Sequence, residues 1–449
     1  MLKLFLWLRY LRKKKIVLLS IAAVALSAAL LIVVSSLFIG FIKVFEQSAV
    51  ETIGDVVLAP PIKFTKYQLF IERLEQTGVV EAATATLSAP GLLHLGEGNV
   101  RAVYIWGVEP GGWTKVTGFK QSLIKQKKSP QEPSFEIAGF PEKVGGFVGI
   151  GVVAEPDEKT DEYDFAEVEE IIGRHVVLTM GTAIDSGTDE DKSSRRFKRK
   201  VIPFTIADVV FAGYYFTDKS FIYLPIEKLQ KTLYPNSKAP LAGQIQIKLA
   251  GDAQVDVALA QIRGLWQGFA AEQLGWDPYL IKNTIIITAK QMQNPLVAEF
   301  RKQMGILLLI FGVISLSAIL LIFCVFYMIV MTRRRDIAII KSCGTASSSV
   351  ALIFVGFGVC VGIIGSGLGA ILGYIVTKNI NTIEEWIRII FGLKLWKSSV
   401  YMFSKIPNEI DWSSALIIVL SAVIAASLGA LIPAIIAVRT EPVKILRYE

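Results

Sequence analysis

A short basic segment, RRRDIAIIKSCGTASSSV at residues 333–350, carries the side chains best suited to act on a partner. A helix in this segment would end at Gly344, since glycine readily adopts the left-handed conformation found at helix C-termini. Its apolar face and Asp336 could insert into a groove on a soluble protein. The residues predicted for this site are Arg335, Asp336, Ile337, Ile339, Ile340, Lys341 and Gly344. The alternative is a positively charged turn that only sets the topology of the chain.

Motifs for catalysis are missing from the sequence. No GxxxxGK[ST] phosphate-binding loop occurs, and neither His94 nor His175 belongs to an HExxH zinc motif. No GxSxG nucleophile elbow occurs either. We therefore predict no catalytic residue, no metal site and no ATPase site in this chain. Any energy that the protein uses must then come from another subunit.

Four stretches of the chain contain no charged residue, and each is long enough to cross a bilayer. A membrane-spanning helix needs about 20 apolar residues, and the four uncharged stretches are 16–42, 303–332, 342–377 and 412–438. They exclude a soluble, fibrous or disordered protein. A proton-coupled transporter is also disfavoured, because such proteins carry ionisable side chains within their spans.

Acidic and basic residues are distributed unevenly between the middle of the chain and its remainder. Residues 44–301 hold 27 basic and 32 acidic residues, whereas the remainder of the chain holds 20 and 7. The positive net charge thus belongs to the membrane flanks, and it does not indicate a nucleic-acid partner. Basic residues beside the spans predict that both termini are cytoplasmic and that 44–301 is extracytoplasmic. The loop 378–411, with five basic and four acidic residues, fits this rule less well.

These patterns predict a polytopic α-helical membrane protein with four transmembrane helices, one before and three after a large α+β extracytoplasmic domain. The α+β domain, 44–301, would consist of two subdomains, about 44–85 plus 240–301 and about 86–239. The remaining segments are a cytoplasmic N-terminus 1–15, helix 1 at 16–43, helix 2 at 303–332, a cytoplasmic loop or helix at 333–348, helix 3 at 349–377, an external loop 378–411, helix 4 at 412–438 and a tail 439–449.

Local patterns within the domain predict individual elements. Residues 66–77 form a helix with Leu69, Ile71 and Leu74 near one face, and the apolar run 147–155 is strand-like. The charged stretch 185–200 is predicted to be a mobile hairpin tip or loop, and its basic run 195–200 a solvated loop. Residues 381–398 are predicted to form an amphipathic helix on the outer membrane surface.

Two patterns within the spans suggest contacts. Phe38, Phe41 and Phe45 form a stripe on helix 1 that either anchors the helix at the lipid interface or forms an apolar wall that meets acyl chains. Glycines at GxxxG spacing in helix 3 predict close packing within the three-helix group, and the alternative is a moving dimer interface. These glycines are Gly358, Gly362, Gly365, Gly369 and Gly373.

Four sequence segments in order resemble one family. They are RYLRKKK followed by LIVVSSLFIGF at the start, FAGYYFTDKSFIYLPIEKLQKTL at 211–233, RRRDIAIIKSCG at 333–344, and RTEPVKILRYE at the end. Together they resemble the FtsX-like permease subunits of mechanotransmission-type ABC transporters, and most of all the lipoprotein-releasing (Lol) permeases. In that family RRRDIAIIKSCG corresponds to the coupling helix, although Asp336 stands where glutamate is common.

The resemblance implies a permease dimer in the bacterial inner membrane, made of two copies of the chain or of the chain and a paralogue. A separate ATPase dimer would bind ATP and Mg and move the cytoplasmic loop, so this chain would hold no cofactor. The other implied partners are membrane lipid, a lipoprotein cargo and a periplasmic carrier. The same type of permease could instead export a peptide or toxic compound, or regulate a cell-wall hydrolase. A membrane-anchored sensor without an ATPase is the alternative from another class.

Overall fold

The computed structural model describes residues 15–96, 98–137, 142–184, 196–342, 344–398, 403 and 405–439. The chain divides into two compact units. Unit 1 comprises Met1–Val44, Leu296–Trp386 and Ile406–Glu449, and unit 2 comprises Phe45–Pro295 and Ile387–Lys405.

Helices occur in both units, and we number them in chain order. They are α1 Lys15–Ile53, α2 Tyr67–Glu75, α3 Pro110–Val116, α4 Phe119–Ser122, α5 Ile150–Val153, α6 Phe165–Ile171, α7 Tyr215–Ser220, α8 Ile226–Leu233, α9 Val255–Glu272, α10 Pro278–Lys282, α11 Ala289–Thr332, α12 Arg334–Ser342, α13 Ser347–Lys378, α14 Ile380–Phe391 and α15 Trp412–Val438. A 3₁₀ turn covers Gln126–Lys128.

The strands all lie in unit 2. They are β1 Val56–Ala59, β2 Val80–Gly96, β3 Asn99–Val108, β4 Gly145–Gly149, β5 His175–Ile184, β6 Arg196–Val210, β7 Phe221–Pro225, β8 Gln244–Leu249 and β9 Ile285–Thr288.

Within the part of the chain that the structure describes, four helices, α1, α11, α13 and α15, are long and apolar enough to cross a membrane. One precedes the strands and three follow them, so the predicted fold class, a polytopic helical protein with an inserted α+β domain, is confirmed.

The first two of these helices are longer than the predicted spans. Helix α1 continues to Ile53 and α11 begins at Ala289, whereas the uncharged runs predicted 16–43 and 303–332. The additional residues include good helix formers such as Glu46, Gln47 and Gln291. Hydropathy detects only the part of a helix that suits lipid, and it does not detect where the helical backbone ends.

Strand β2 links two parts of the sheet. Its first half, Val80–Thr86, pairs with β8, which also pairs with β1, and β1 pairs with β9. From Leu87 onward β2 pairs with β3 and β5. The remaining pairings run from β3 through β7, β4 and β6 back to β5, so six strands form a closed ring of pairings. The boundary between the two parts of the sheet therefore falls within one strand.

Helices α2 and α9 cover the first part of the sheet through an aromatic core. Phe70 and Trp266 are fully buried, with their ring centroids 5.3 Å apart in an edge-to-face arrangement. The residues of α2 that are buried are Tyr67, Phe70 and Leu74, whereas Leu69 is 39% exposed. The predicted face with Leu69, Ile71 and Leu74 is therefore not the buried one, because α2 turns Tyr67, Phe70 and Leu74 inward.

Three further local predictions need correction. The run 147–155 is a strand only to Gly149, and Ile150–Val153 is helical. The basic run 195–200 is not a loop from Arg196 onward, because β6 begins there and pairs with β5. The amphipathic helix ends at Phe391, and Gly392 adopts a left-handed φ of 65°. Residues 185–195 lie outside the described residues.

Asp218 in α7 makes the stability of unit 2 depend on pH. Its carboxylate is buried, and the backbone N–H of Ala212 donates to Oδ1 at 2.7 Å. Burial raises the pKa of this carboxyl to about 7, against about 3.9 in an unfolded chain. Between these values the folded protein keeps a proton that the unfolded chain releases. The free energy of unfolding therefore falls as the pH rises from about 4 to about 7, by at most about 4 kcal/mol.

We expect Asp218→Asn to flatten this part of the pH profile, measured as the Tm of the full detergent-solubilised protein. Asp277→Asn is the matched control, because Asp277 is exposed and asparagine also caps α10. A residual slope from Asp208, whose pKa burial also raises, should remain in both variants. An unchanged slope in Asp218→Asn would contradict the prediction.

Candidate functional site

The predicted coupling segment forms the short helix α12, and its two sides differ. Ile337 and Ala338 are buried, and Ile337 belongs to the apolar cluster of unit 1 that contains Val330 and Val350. Ile339 is 52% exposed, and Arg334, Arg335 and Asp336 are also exposed. The prediction that the apolar face as a whole meets a partner is therefore corrected for Ile337, which holds α12 on unit 1 instead. The side chain of Ile340 lies outside the described residues.

Polar contacts occur at both ends of α12, and the one at its C-terminal end attaches it to α15. Near the start of the helix, Arg333 Nη1 lies 2.9 Å from Asp336 Oδ2 in an exposed ion pair. Near its end, Lys341 Nζ donates to the carbonyl oxygen of Val438 at 2.7 Å, at the end of α15. Gly344 follows with a φ of 90° and donates its N–H to the carbonyl of Lys341. Glycine suits this position because other residues adopt such a φ only with strain.

Among the described side chains of α12, the exposed surface is thus small and charged and includes one large apolar side chain, Ile339. The acidic group at 336 lies at the helix N-terminus, where a negative charge is favoured, and Lys341 lies at the C-terminus, where a positive charge is favoured. These local preferences help a nine-residue helix to form between two long ones. Such a surface can bind a polar groove with one apolar pocket.

The five predicted glycines of α13 lie in two rows that contact different helices. A Cβ added at Gly358 would lie 2.6 Å from Ala430 Cβ, and one at Gly362 would lie 3.0 Å from Ala426 Cβ, both on α15. The other three face α1. An added Cβ would meet Val24 at Gly365, the carbonyl of Ala25 at Gly369 and Ile32 at Gly373. The prediction of packing within the three-helix group is therefore corrected for the row that contacts α1. Helix α13 is in close contact with both α1 and α15 within unit 1.

The three phenylalanines of the predicted stripe do not share one environment in the structure. Phe45 is fully buried in unit 2, where its ring lies 6.1 Å from that of Tyr214 and 6.3 Å from that of Phe403. It therefore does not face lipid, and the prediction for Phe45 was wrong. Phe38 and Phe41 are half-buried in unit 1, with Phe41 edge-on to Phe300 at 4.8 Å.

A cavity in unit 1 was missed by the sequence analysis. It has a volume of about 270 Å³ and lies between α1, α11 and α15. Most of its lining is apolar and small, and Ser27 Oγ and Ser315 Oγ form a hydrogen bond of 2.7 Å across it. The only available signal was two serines within otherwise apolar runs, which cannot reveal that they face each other. The space suits an apolar chain.

Part of the chain matches a known protein family. Residues 308–442, which include α12, α13 and α15, match the family of FtsX-like permease C-terminal domains. The chain is therefore similar to FtsX-like ABC permeases, and within them to the Lol permease subunits, as its motifs predicted.

The similarity to individual relatives extends over nearly the whole chain. The lipoprotein-releasing system transmembrane protein LolC of Xylella fastidiosa is 24% identical, and that of Neisseria meningitidis is 25% identical. Each alignment covers 98% of both chains. These similarities support a multi-pass protein of the bacterial inner membrane.

Solved structures of extracytoplasmic domains also match. The periplasmic region of MacB from Actinobacillus actinomycetemcomitans is 13% identical, covering 55% of this chain and 95% of that one, with a TM-score of 0.28. The extracellular domain of the ABC-type transporter YknZ from Gram-positive bacteria is 12% identical, covering 52% and 98%, with a TM-score of 0.30.

Two glycine-to-alanine substitutions on α13, one at a close contact and one in open space, test the packing of α13 against α1. In Gly369→Ala the new Cβ would lie 2.6 Å from the carbonyl oxygen of Ala25, so α1 and α13 must separate. Overpacking of this kind costs about 1–3 kcal/mol. We expect a lower Tm for the full protein in detergent. In Gly367→Ala, on the same helix, the added Cβ meets nothing within 4 Å and the Tm should not fall. Equal Tm values for the two variants would contradict the assigned packing.

Proposed function

We propose that this chain is the permease subunit of an ABC transporter that releases lipoproteins from the inner membrane. The observation that carries the proposal is the similarity to lipoprotein-releasing transmembrane proteins along 98% of the chain. ATP and Mg would be bound by a separate ATPase dimer, since the sequence has no phosphate-binding loop. A second permease, either a copy of this chain or a paralogue, would complete the transporter.

In this proposal α12 receives the motion of the ATPase. Its exposed residues Arg335, Asp336 and Ile339 would lie in a groove of the ATPase, while Ile337 and Lys341 hold the helix on unit 1. A groove that closes on the exposed side would therefore also displace α15 and the buried cluster. Because α13 contacts α1 and α15 through backbone atoms, these helices would respond together.

Two helices would carry this displacement to unit 2. Helix α1 continues from residues of unit 1 into residues of unit 2, and so does α11, in which Pro295 removes one backbone hydrogen bond at that boundary. A continuous helix transmits a shift along its axis because its backbone hydrogen bonds resist compression. With basic residues marking the cytoplasmic side, α12 and both termini would be cytoplasmic and unit 2 extracytoplasmic.

The cargo requires energy because its acyl chains are buried in lipid. Each buried CH₂ contributes about 0.8 kcal/mol to membrane binding, so removal of a lipidated protein needs an external source. Phe38, Phe41 and the 270 Å³ cavity beside Ser27 are the apolar surfaces we propose for contact with an acyl chain. A periplasmic carrier would then receive the released cargo.

A charge placed on the exposed side of α12 tests the coupling. We expect Ile339→Glu to reduce copurification of the ATPase subunit and to abolish cargo-stimulated ATP hydrolysis, because it puts a carboxylate where the partner's apolar pocket would be. The effect should exceed tenfold, since burying an unpaired charge costs several kcal/mol. The readouts are the ratio of subunits after affinity purification and the rate of ATP hydrolysis in vesicles.

Ile285→Glu is the matched control for this test. Ile285 is also exposed, at 55% against 52% for Ile339, but it lies in β9 of unit 2. The Ile285→Glu substitution should leave binding of the ATPase subunit unchanged. Normal coupling in Ile339→Glu would refute the assignment of α12. Failure of any protein with phosphate-binding motifs to copurify with the native chain would favour a sensor over a transporter.

Depletion of the chain tests the cargo. We expect lipoproteins destined for the outer membrane to accumulate in the inner membrane, measured by membrane fractionation and labelling with radioactive palmitate. Expression of the Ile285→Glu variant should restore their sorting, and expression of Ile339→Glu should not. Normal sorting after depletion, together with sensitivity to a peptide or toxic compound, would instead support export of another substrate.

A further inference from the structure

The segment between the third and fourth candidate spans has two chemically opposite sides. One side is an apolar ridge of large side chains that are each more than half exposed. The members of this ridge are Trp386, Ile389, Ile390, Phe391, Leu393 and Leu395. The other side carries Arg388, Lys394 and Ser398, which contact the turn at residues 157–162, called here the acidic turn.

Four contacts join the segment to the acidic turn within unit 2, and the longest runs from Lys397 Nζ to the carbonyl oxygen of Glu158 at 3.5 Å. Arg388 Nη1 lies 3.0 Å from Glu162 Oε1, and the Arg388 side chain is largely covered. Lys394 Nζ donates to the carbonyl oxygen of Thr160 at 2.6 Å. The backbone N–H of Ser398 donates to Asp161 Oδ2 at 2.7 Å. The contacts thus involve a side-chain ion pair and backbone groups from both partners.

The acidic turn is shaped by its own hydrogen bonds. Asp157 Oδ1 accepts from the backbone N–H groups of Thr160 at 2.8 Å and Lys159 at 2.9 Å, and these bonds, that of Thr160 most of all, lower the pKa of Asp157. Asp161 donates its N–H to the carbonyl of Asp157 at 2.7 Å and adopts a left-handed φ of 52°. The carbonyl of Thr160 and the carboxylate of Asp161 are therefore already positioned for the segment.

Lipid is the environment that best suits the exposed side chains of the apolar ridge. The polar side chains of the segment are engaged by unit 2, so they do not require water on the ridge side. The segment also continues from α13, a candidate span that ends at Lys378. At that end of unit 1 Tyr374 stacks on Trp412 with ring centroids 5.9 Å apart. Exposed tyrosine and tryptophan mark membrane–water interfaces, so this pair marks an interface at the end of α13, the helix from which the segment continues along the chain.

We propose that residues 386–398 form a two-sided strap whose apolar ridge docks in the lipid interface while its polar side holds the acidic turn of unit 2. Full burial of one such side chain contributes about 1.5–3 kcal/mol, so six can hold the strap in lipid. The strap attaches unit 2 to the membrane independently of α1 and α11. This proposal does not depend on the cargo or on the ATPase.

The ridge is tested by measuring its depth in lipid. The full chain, with Cys324, Cys343 and Cys360 replaced by alanine, receives a spin label at Ile390→Cys and is reconstituted in phosphatidylethanolamine–phosphatidylglycerol vesicles. We expect collisions with oxygen, which concentrates in lipid, to exceed collisions with a water-soluble nickel chelate. A label at Tyr279→Cys, which is 74% exposed on unit 2, should show the opposite ratio.

Two outcomes would overturn the lipid assignment. A label at Ile390→Cys with the same collision ratio as the one at Tyr279→Cys would place the ridge in water. Low collision rates with both reagents would place it under protein, such as a second copy of the chain.

The polar side is tested at Asp161 by hydrogen exchange of the full protein in the same vesicles. Asp161→Gly removes the carboxylate and tolerates the left-handed backbone, whereas Asp161→Asn keeps an acceptor oxygen and also tolerates it. We expect Asp161→Gly to raise the exchange rate of the Ser398 amide about tenfold, and Asp161→Asn to raise it less. Unchanged exchange in Asp161→Gly would show that the acidic turn does not hold the strap.

Discussion

Close backbone contact between α13 and its two neighbours is the constraint on which the helical unit depends. Lipid gives helices little hydrophobic reason to associate, so their contact relies on small residues and van der Waals packing. Gly358 and Gly362 provide this contact with α15, and Gly365, Gly369 and Gly373 provide it with α1. Backbones in contact leave no flexible side chains between these helices to absorb a displacement, as the proposed transmission of a shift from α12 requires.

Two short elements share one design, in which one side is held by the protein and the other is exposed. Helix α12 is held by Ile337 and Lys341 and exposes Ile339. The strap is held by its contacts with the acidic turn and exposes its apolar ridge. The exposed chemistry differs between the two elements. Helix α12 exposes charged side chains, as its proposed contact with a soluble subunit requires, and the ridge is apolar, as its proposed contact with lipid requires.

In unit 2, strand β2 joins two parts of the sheet whose surroundings differ. The first part packs on the aromatic core of α2 and α9, and the second closes into a ring of six strands. Because β2 belongs to both, a shift in one part reaches the other along a single backbone. The buried carboxyl of Asp218 adds a cost in the second part that hydrogen bonds from the backbone only partly offset.

The four spans, the α+β insertion and the family resemblance could be predicted from the sequence alone. Crossing a bilayer requires a long uncharged run, and close helix packing requires glycines at fixed spacing, so both leave a local pattern. The burial of Phe45, the exposure of Leu69 and the pairing of Ser27 with Ser315 left no such pattern. Each depends on residues far away in the chain, as Phe45 does on Tyr214 and Phe403. Only the folded chain brings these partners together, because hydropathy and spacing describe a residue's neighbours in sequence and not those in space.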